Sequence, residues 1–174
     1  ISDEIIIETH CEIYYEKLKN LSLSKDEVRR LGFPLCNVLI DRECIIAKGT
    51  LDGCNYAFQS GISFNIAGGT HHAFHNRGEA FCLLNDQAIA ANHLLNNGKA
   101  KKILIVDLDV HQGNGTAALF QNNPNVFSFS MHGKSNYPFQ KEKSDLDISL
   151  KDRTSDSEYL NILEIELNKV LERF

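Results

Sequence analysis

Ile103-Leu104-Ile105-Val106-Asp107-Leu108-Asp109-Val110-His111-Gln112-Gly113-Asn114-Gly115 is the stretch on which the fold turns. Its first four residues are a continuous β-branched and leucine run. That is the pattern of a parallel strand buried on both faces, so a central strand is expected here. Asp107, Asp109 and His111 follow at i, i+2 and i+4, and if extended geometry persists all three side chains leave the same face. Open parallel sheets bind ligands outside the carboxyl ends of their strands, which is where these polar residues stand. A carboxylate and an imidazole two residues apart suit a zinc-type ion, since zinc takes Asp oxygen and His nitrogen at about 2.0–2.2 Å. The competing reading is an Asp capping the next helix and a His satisfied within its loop. Three titratable groups in five residues, leaving an apolar strand, favour convergence on one site.

Upstream of that strand, Asn85 or Asp86 serves as N-cap of a helix through Ala88, Ile89, Ala91, Leu94 and Leu95, closed by Gly98. Before it, Ile62-Ser63-Phe64-Asn65-Ile66-Ala67 alternates as a short strand and runs into Gly68-Gly69-Thr70-His71-His72, where paired glycines let the backbone turn sharply. Imidazole accepts and donates protons near neutrality, so adjacent histidines at a strand-end turn suit a general acid/base pair. Asp107 is a candidate to orient one ring and Asn114 the other. Further upstream, Ser24 to Glu27 forms a capping box with Gly32 and Pro34 as stops. A longer helical stretch runs from about Val38 to Phe58 despite Gly49 and Gly53, and helix packing is its expected role.

Downstream, a short helix over Ala117 to Phe120 precedes a third strand, Val126 to Ser130, ending in Met131-His132-Gly133. Ser144-Asp145-Leu146-Asp147 reads as part of a polar loop. The last segment opens with a capping box, Ser155 to Glu158, and carries Leu160, Leu163, Leu167, Val170, Leu171 and Phe174 on one helical face. Alternating strands and helices define an open α/β sheet, in which a crossover helix normally hands the chain to another parallel strand. That strand is missing here. Residues 1–174 therefore read as a single partial domain with its core motifs over 61–147 and further domain sequence expected beyond Phe174.

Composition agrees with one domain: 174 residues, 43% hydrophobic, 24% charged and 3 Pro describe a globular chain rather than a disordered one. A formal charge of −5 lacks the basic footprint of a nucleic-acid binder. No apolar run approaches the roughly 20 residues a membrane span needs, and no secretory signal is legible, so a cytoplasmic protein is expected. Cys11, Cys36, Cys44, Cys54 and Cys82 are odd in number and include no C-x-x-C pair, so they read as buried or half-buried thiols. Oligomeric state stays open.

Four motifs, in order and spacing, resemble the histone deacetylase superfamily. They are Gly68-Gly69-Thr70-His71-His72-Ala73-Phe74, Gly78-Glu79-Ala80-Phe81-Cys82 with Asn85-Asp86 behind it, Asp107 through Gly115, and Ser130-Met131-His132-Gly133. Asn114 stands where class I enzymes carry Asp, and Asn136-Tyr137-Pro138-Phe139 also fits, so the nearest likeness is to the class IV-like and bacterial branch. The likeness extends from about Ile5 to Phe174. It implies a three-layer α/β fold of the arginase/deacetylase type, its mainly parallel central sheet incomplete in this chain. It also implies zinc-dependent removal of an acetyl or other acyl group from an amine such as acyl-lysine. Carried over, Asp109 and His111 are zinc ligands, and His71 and His72 are the acid/base pair, oriented by Asp107 and Asn114. Asp107, Asp109, His111, Ser130 and Met131 surround a structural K+, and Phe81 and Tyr137 wall the acyl tunnel. The family's third zinc ligand, an Asp, and its oxyanion tyrosine fall in segments beyond Phe174, so these residues alone are expected to be inactive. Ala80 replaces the usual Gly, which is expected to narrow the tunnel. Two other readings compete: a non-catalytic module on the same fold, and a dimanganese ureohydrolase, which needs an Asp where Gly113 stands.

Overall fold

The computed structural model describes residues 1–174, which divide into two compact units, Ile1–Ala100 and Lys101–Phe174. The first unit is helical: α1 (Asp3–Ile7), α2 (Glu12–Lys19), α3 (Lys25–Leu31), α4 (Asn37–Ser60) and α5 (Asp86–Asn96). The capping box at Ser24 forms as expected, with Ser24 Oγ accepting the Glu27 N–H and Glu27 Oε2 accepting the Ser24 N–H. Leu18, Leu31, Leu39, Ile40, Leu83 and Ile89 pack with Ile6, Tyr14 and Tyr15 into this unit's core.

Gly49 and Gly53 do not break α4. A Cβ on Gly49 would lie 3.1 Å from Asn65 Nδ2, and one on Gly53 would lie 3.3 Å from Ser63 Oγ, so both sites leave room for the 63–65 segment. That segment is not the expected strand. Residues 62–67 pair with no other strand; Asn65 instead donates to Ile46 O and Thr50 Oγ1 of α4. Alternation alone does not make a strand, because the backbone needs a ladder partner. Its apolar side chains face outward, with Ile62, Phe64 and Ile66 at 64%, 83% and 102% exposure. The cysteines differ from expectation at one position: Cys36 is exposed, as the residue that precedes α4.

The second unit contains β1 (Ile103–Asp107), α6 (Asn114–Phe120), β2 (Val126–Gly133), β3 (Leu146–Leu150) and α7 (Asp156–Arg173). The three strands are parallel in the order β1-β2-β3. The expected central strand is thus an edge strand, and the longer, more deeply buried β2 takes the middle. Val106 pairs with Phe129, Asp107 with Ser130, and Ser130 with Asp147. Leu104, Val106, Phe127, Phe129, Met131, Leu146 and Ile148 form one cluster with Tyr159, Ile162, Leu163, Val170 and Phe174. Leu160 and Leu171 lie outside it at 61% and 62% exposure. They sit one residue, about 100° of helix, beyond Tyr159 and Val170. No helix is long and apolar enough to cross a membrane.

The expected polar loop contains a strand that the sequence reading missed. Leu146-Asp147-Ile148-Ser149-Leu150 alternates, and its acidic residues are structural brackets. Asp145 Oδ2 accepts the Ser128 N–H and Oγ–H, each at 2.8 Å, while Asp147 Oδ1 accepts from Gln112 Nε2 at 2.7 Å. The residues 134–145 join parallel β2 to β3 without the helix usual in such crossovers.

Candidate active-site residues

β1 stops at Asp107, so the extended geometry expected through His111 does not persist. Asp107 Oδ1 accepts the Asp109 N–H at 3.0 Å, and Asp109 Oδ1 accepts the His111 N–H at 2.7 Å. Two successive turns closed by Asp side chains replace the strand, because a short carboxylate competes for the backbone donor two residues ahead. Asp109 and His111 converge nonetheless. Asp109 Oδ1 and His111 Nδ1 lie 3.0 Å apart on half-exposed side chains. The Tyr137 ring stands edge-on to His111, centroids 6.4 Å apart.

A tetrahedral zinc with ligands at about 2.0–2.1 Å separates adjacent donor atoms by roughly 3.3 Å. One carboxylate oxygen and one imidazole nitrogen at 3.0 Å fit two corners of that sphere. No group of three or more His, Cys, Asp or Glu side chains is placed to hold an ion. Asp107 is engaged in its turn. Across the register it faces Ser130, whose Oγ lies 3.0 Å from His132 Nδ1. Burial holds the His132 imidazole below its ordinary value. The Met131 side chain joins Phe129 in the α7-facing cluster, so toward the Asp107 face it has only its backbone to offer. Asn114 is buried as the first residue of α6, its Oδ1 accepting the Gly115 N–H.

In the first unit His71 and His72 are 6% and 5% exposed, and their ring centroids stand 4.1 Å apart at 47°. The loop that carries them is tied at both ends. Asp86 accepts from Gly69 N and Thr70 N, while Asn85 Nδ2 donates to Ala73 O at 3.4 Å. His10 is fully buried. Its Nδ1 donates to Phe74 O and its Nε2 accepts the Asn85 N–H, both at 2.9 Å, which requires the neutral ring. Burial accordingly lowers its pKa to about 4.

Phe81 is 58% exposed and adopts φ +70 after Ala80 at φ +44. Ala80 N and Phe81 N donate to Arg30 O and Leu31 O, which fastens this turn to the end of α3. The Phe81 ring meets Phe33 edge-on at 5.0 Å, and a Cβ on Gly32 would stand 2.7 Å from its Cε1. The position of Ala80 thus concerns backbone conformation: a left-handed residue here favours glycine. Ala80→Gly is expected to raise stability by about 1 kcal/mol, read from the midpoint of urea unfolding. An unchanged or lower midpoint would count against strain at Ala80.

The structure brings together His71 with His72 in one unit, and Asp109 with His111 and Tyr137 in the other. Sequence reasoning missed three supports: Asp86, His10 and Gln112. Gln112 is 1% exposed and bonds Glu142 O, Glu142 N and Asp147. A long-range clamp leaves no periodic trace; only the adjacency of Asn85 and Asp86 at a helix start hinted at one.

A carboxylate and an imidazole thus converge just beyond the end of a parallel strand in one unit, and a histidine pair is buried in the other. Comparison gives the family: residues 1–174 match the histone deacetylase domain, and the chain belongs to that family. It is 46% identical over 150 residues to an uncharacterized protein of Picosynechococcus sp., covering 86% of this chain and 50% of that one. It is 28% identical over 148 residues to the acetoin utilization protein AcuC of Bacillus subtilis, covering 79% and 38%. The fold matches the crystal structure of an HDAC homolog from Aquifex aeolicus with TM-score 0.85 and 26% identity, over 99% of this chain and 52% of that one. An HDAC homolog complexed with SAHA matches equally well. The chain spans about half the length of the relatives it matches most extensively.

Proposed function

We propose that the protein containing this chain is a zinc-dependent amidohydrolase that removes an acetyl or other acyl group from an amine such as acyl-lysine. The observation that carries this reading is the match of all 174 residues to the histone deacetylase domain. Asp109 and His111 would hold the metal, and Asn114 and Asp107 would orient the imidazoles. When bound, zinc polarises the acyl carbonyl and lowers the pKa of water. The histidines do the proton work. One imidazole nitrogen of the His71–His72 pair takes a proton from the attacking water, and an imidazole N–H later delivers one to the leaving amine nitrogen. Their burial keeps bulk water from competing for those protons. Phe81 and Tyr137 wall the acyl chain in this reading. Asp107, Ser130 and the Met131 backbone would hold K+. Five free cysteines suit a reducing compartment such as the cytoplasm.

The test is metal analysis of the full-length gene product together with a fluorogenic acetyl-lysine assay. About one zinc per chain, turnover abolished by a chelator and restored by zinc, and inhibition by SAHA are expected. Residues 1–174 alone supply two donors and are expected to show no turnover. Absence of zinc and of chelator-sensitive turnover in the full-length protein would leave a non-catalytic module on the deacetylase fold.

A further inference from the structure

We propose that Asp86 is a positioning residue for the His71–His72 pair, acting through the backbone of the loop that carries it. The inference rests on the deacetylase reading of those histidines. Asp86 is 1% exposed at the first residue of α5. An acidic residue there ordinarily serves the helix, whose N-terminus favours negative charge. That service is already rendered by Asn85, whose Oδ1 accepts the Ala88 N–H. The Asp86 oxygens face the other way. Oδ1 accepts from Gly69 N at 3.0 Å, Thr70 N at 2.7 Å and Thr70 Oγ1 at 2.7 Å, and Oδ2 accepts from Gly69 N at 3.1 Å and Thr50 Oγ1 at 2.5 Å.

The Asp86 N–H in turn donates to Thr70 Oγ1 at 3.3 Å, closing the ring of contacts. The loop comes so close that a Cβ on Gly68 would stand 2.6 Å from Asp86 Oδ2. Thr50 is held from behind by Asn65 Nδ2 at 2.8 Å, so the clamp is anchored on α4 as well as α5. The His71 N–H donates to Gly69 O at 3.0 Å, immediately after the clamped residues. Gly69 and Thr70 are thus fixed by a rigid helix terminus one residue before the first imidazole, and the ring inherits that fixed origin. Proton transfer depends steeply on distance, so displacement of such a group by about 1 Å costs on the order of 100-fold in rate.

The experiment compares Asp86→Asn, Thr70→Val and Thr70→Ser with wild type in the full-length, zinc-loaded protein. Asn at 86 turns one acceptor into a donor opposite Gly69 N and Thr50 Oγ1. We expect kcat on an acetyl-lysine peptide to fall roughly 100-fold in Asp86→Asn, with KM within about two-fold and zinc content unchanged, because the loop and not the substrate wall has moved. Thr70→Val should lower kcat in the same way, and Thr70→Ser, which keeps the hydroxyl, should restore it. The imidazole proton–nitrogen NMR signals of His71 and His72 should shift in Asp86→Asn and Thr70→Val and stay in place in Thr70→Ser. If Asp86→Asn does not fold, the Val and Ser pair at 70 carries the comparison. Unaltered kcat together with unaltered imidazole signals in the folded variants would overturn the proposal. Shifted signals in a protein whose wild type has no turnover would instead overturn the deacetylase reading and leave the clamp standing.

Discussion

His111→Ala in the full-length protein is expected to release zinc and abolish amide hydrolysis together, with little change in the stability of the metal-free protein. His111 Nδ1 and Asp109 Oδ1 are 3.0 Å apart, and the substitution leaves a single carboxylate from this turn. The lost imidazole is a neutral nitrogen donor that alanine cannot replace, so zinc per chain should fall to a small fraction of one. Turnover should drop by roughly 1,000-fold or more, equivalent to about 4 kcal/mol of transition-state stabilisation. The side chain is 43% exposed, so its removal opens no core cavity. Unfolding of the metal-free variant should therefore stay within about 0.5 kcal/mol of wild type. Retention of zinc and activity would remove His111 from the metal site. Retention of zinc without activity would assign it a role in the chemistry instead.

The second large effect is a pH dependence carried by two buried groups of the first unit. His10 has its folded pKa lowered by burial to about 4 from 6.5, so protons bind the unfolded chain more readily. Its contribution is fully present above pH 6.5 and is lost as pH falls toward 4. Glu43 behaves oppositely. It is 2% exposed, with the Arg42 guanidinium 3.4 Å away and the Leu83 backbone also favouring its charged form. Burial raises its pKa to about 7 from 4.5, against the pull of Arg42 and with the help of Asp86.

Stability associated with Glu43 is therefore present below pH 4.5 and is lost as pH rises through 7. Between about pH 4.5 and 6.5 the Glu43 slope opposes that of His10. Glu43→Gln uncovers the histidine. Relative to its difference from wild type below pH 4.5, the variant should gain up to about 3 kcal/mol at pH 8. Its own stability should fall steadily from pH 6.5 to 4. Urea unfolding across pH 4 to 8 reads both, and a variant curve parallel to wild type would show that Glu43 does not titrate between the two states.

Much of this was legible from residues alone, for reasons that can be named. Ser24, Asn85 and Ser155 declare helix starts because an N-cap is a local bargain between one side chain and a donor three residues on. Val126 onward reads as a strand because apolar burial leaves a run. The segments that misled are those whose outcome depends on a distant partner. Ile62 to Ala67 alternates like a strand yet gives its Asn65 to α4 and pairs with nothing. Leu146 to Leu150 looked polar because Asp145 and Asp147 spend their carboxylates on Ser128 and Gln112, residues remote in sequence.

By itself the sequence determined the α/β class, the helix starts and the residue types gathered around Asp107 and His71, since these follow from short-range periodicity, capping and spacing. Only the tertiary structure decided that β1 lies at the edge and β2 in the middle of the parallel sheet. It alone decided that two carboxylate-closed turns, rather than an extended strand, bring Asp109 to His111, and that Asp86 grips the loop before His71. Strand order and the clamp between residues 69 and 86 are long-range matters, pairing groups whose separation along the chain carries no periodic mark. The turns at Asp107 and Asp109 are local, but the residue pattern there suits both an extended strand and an i, i+2 side-chain bond, and only the folded backbone chooses between them.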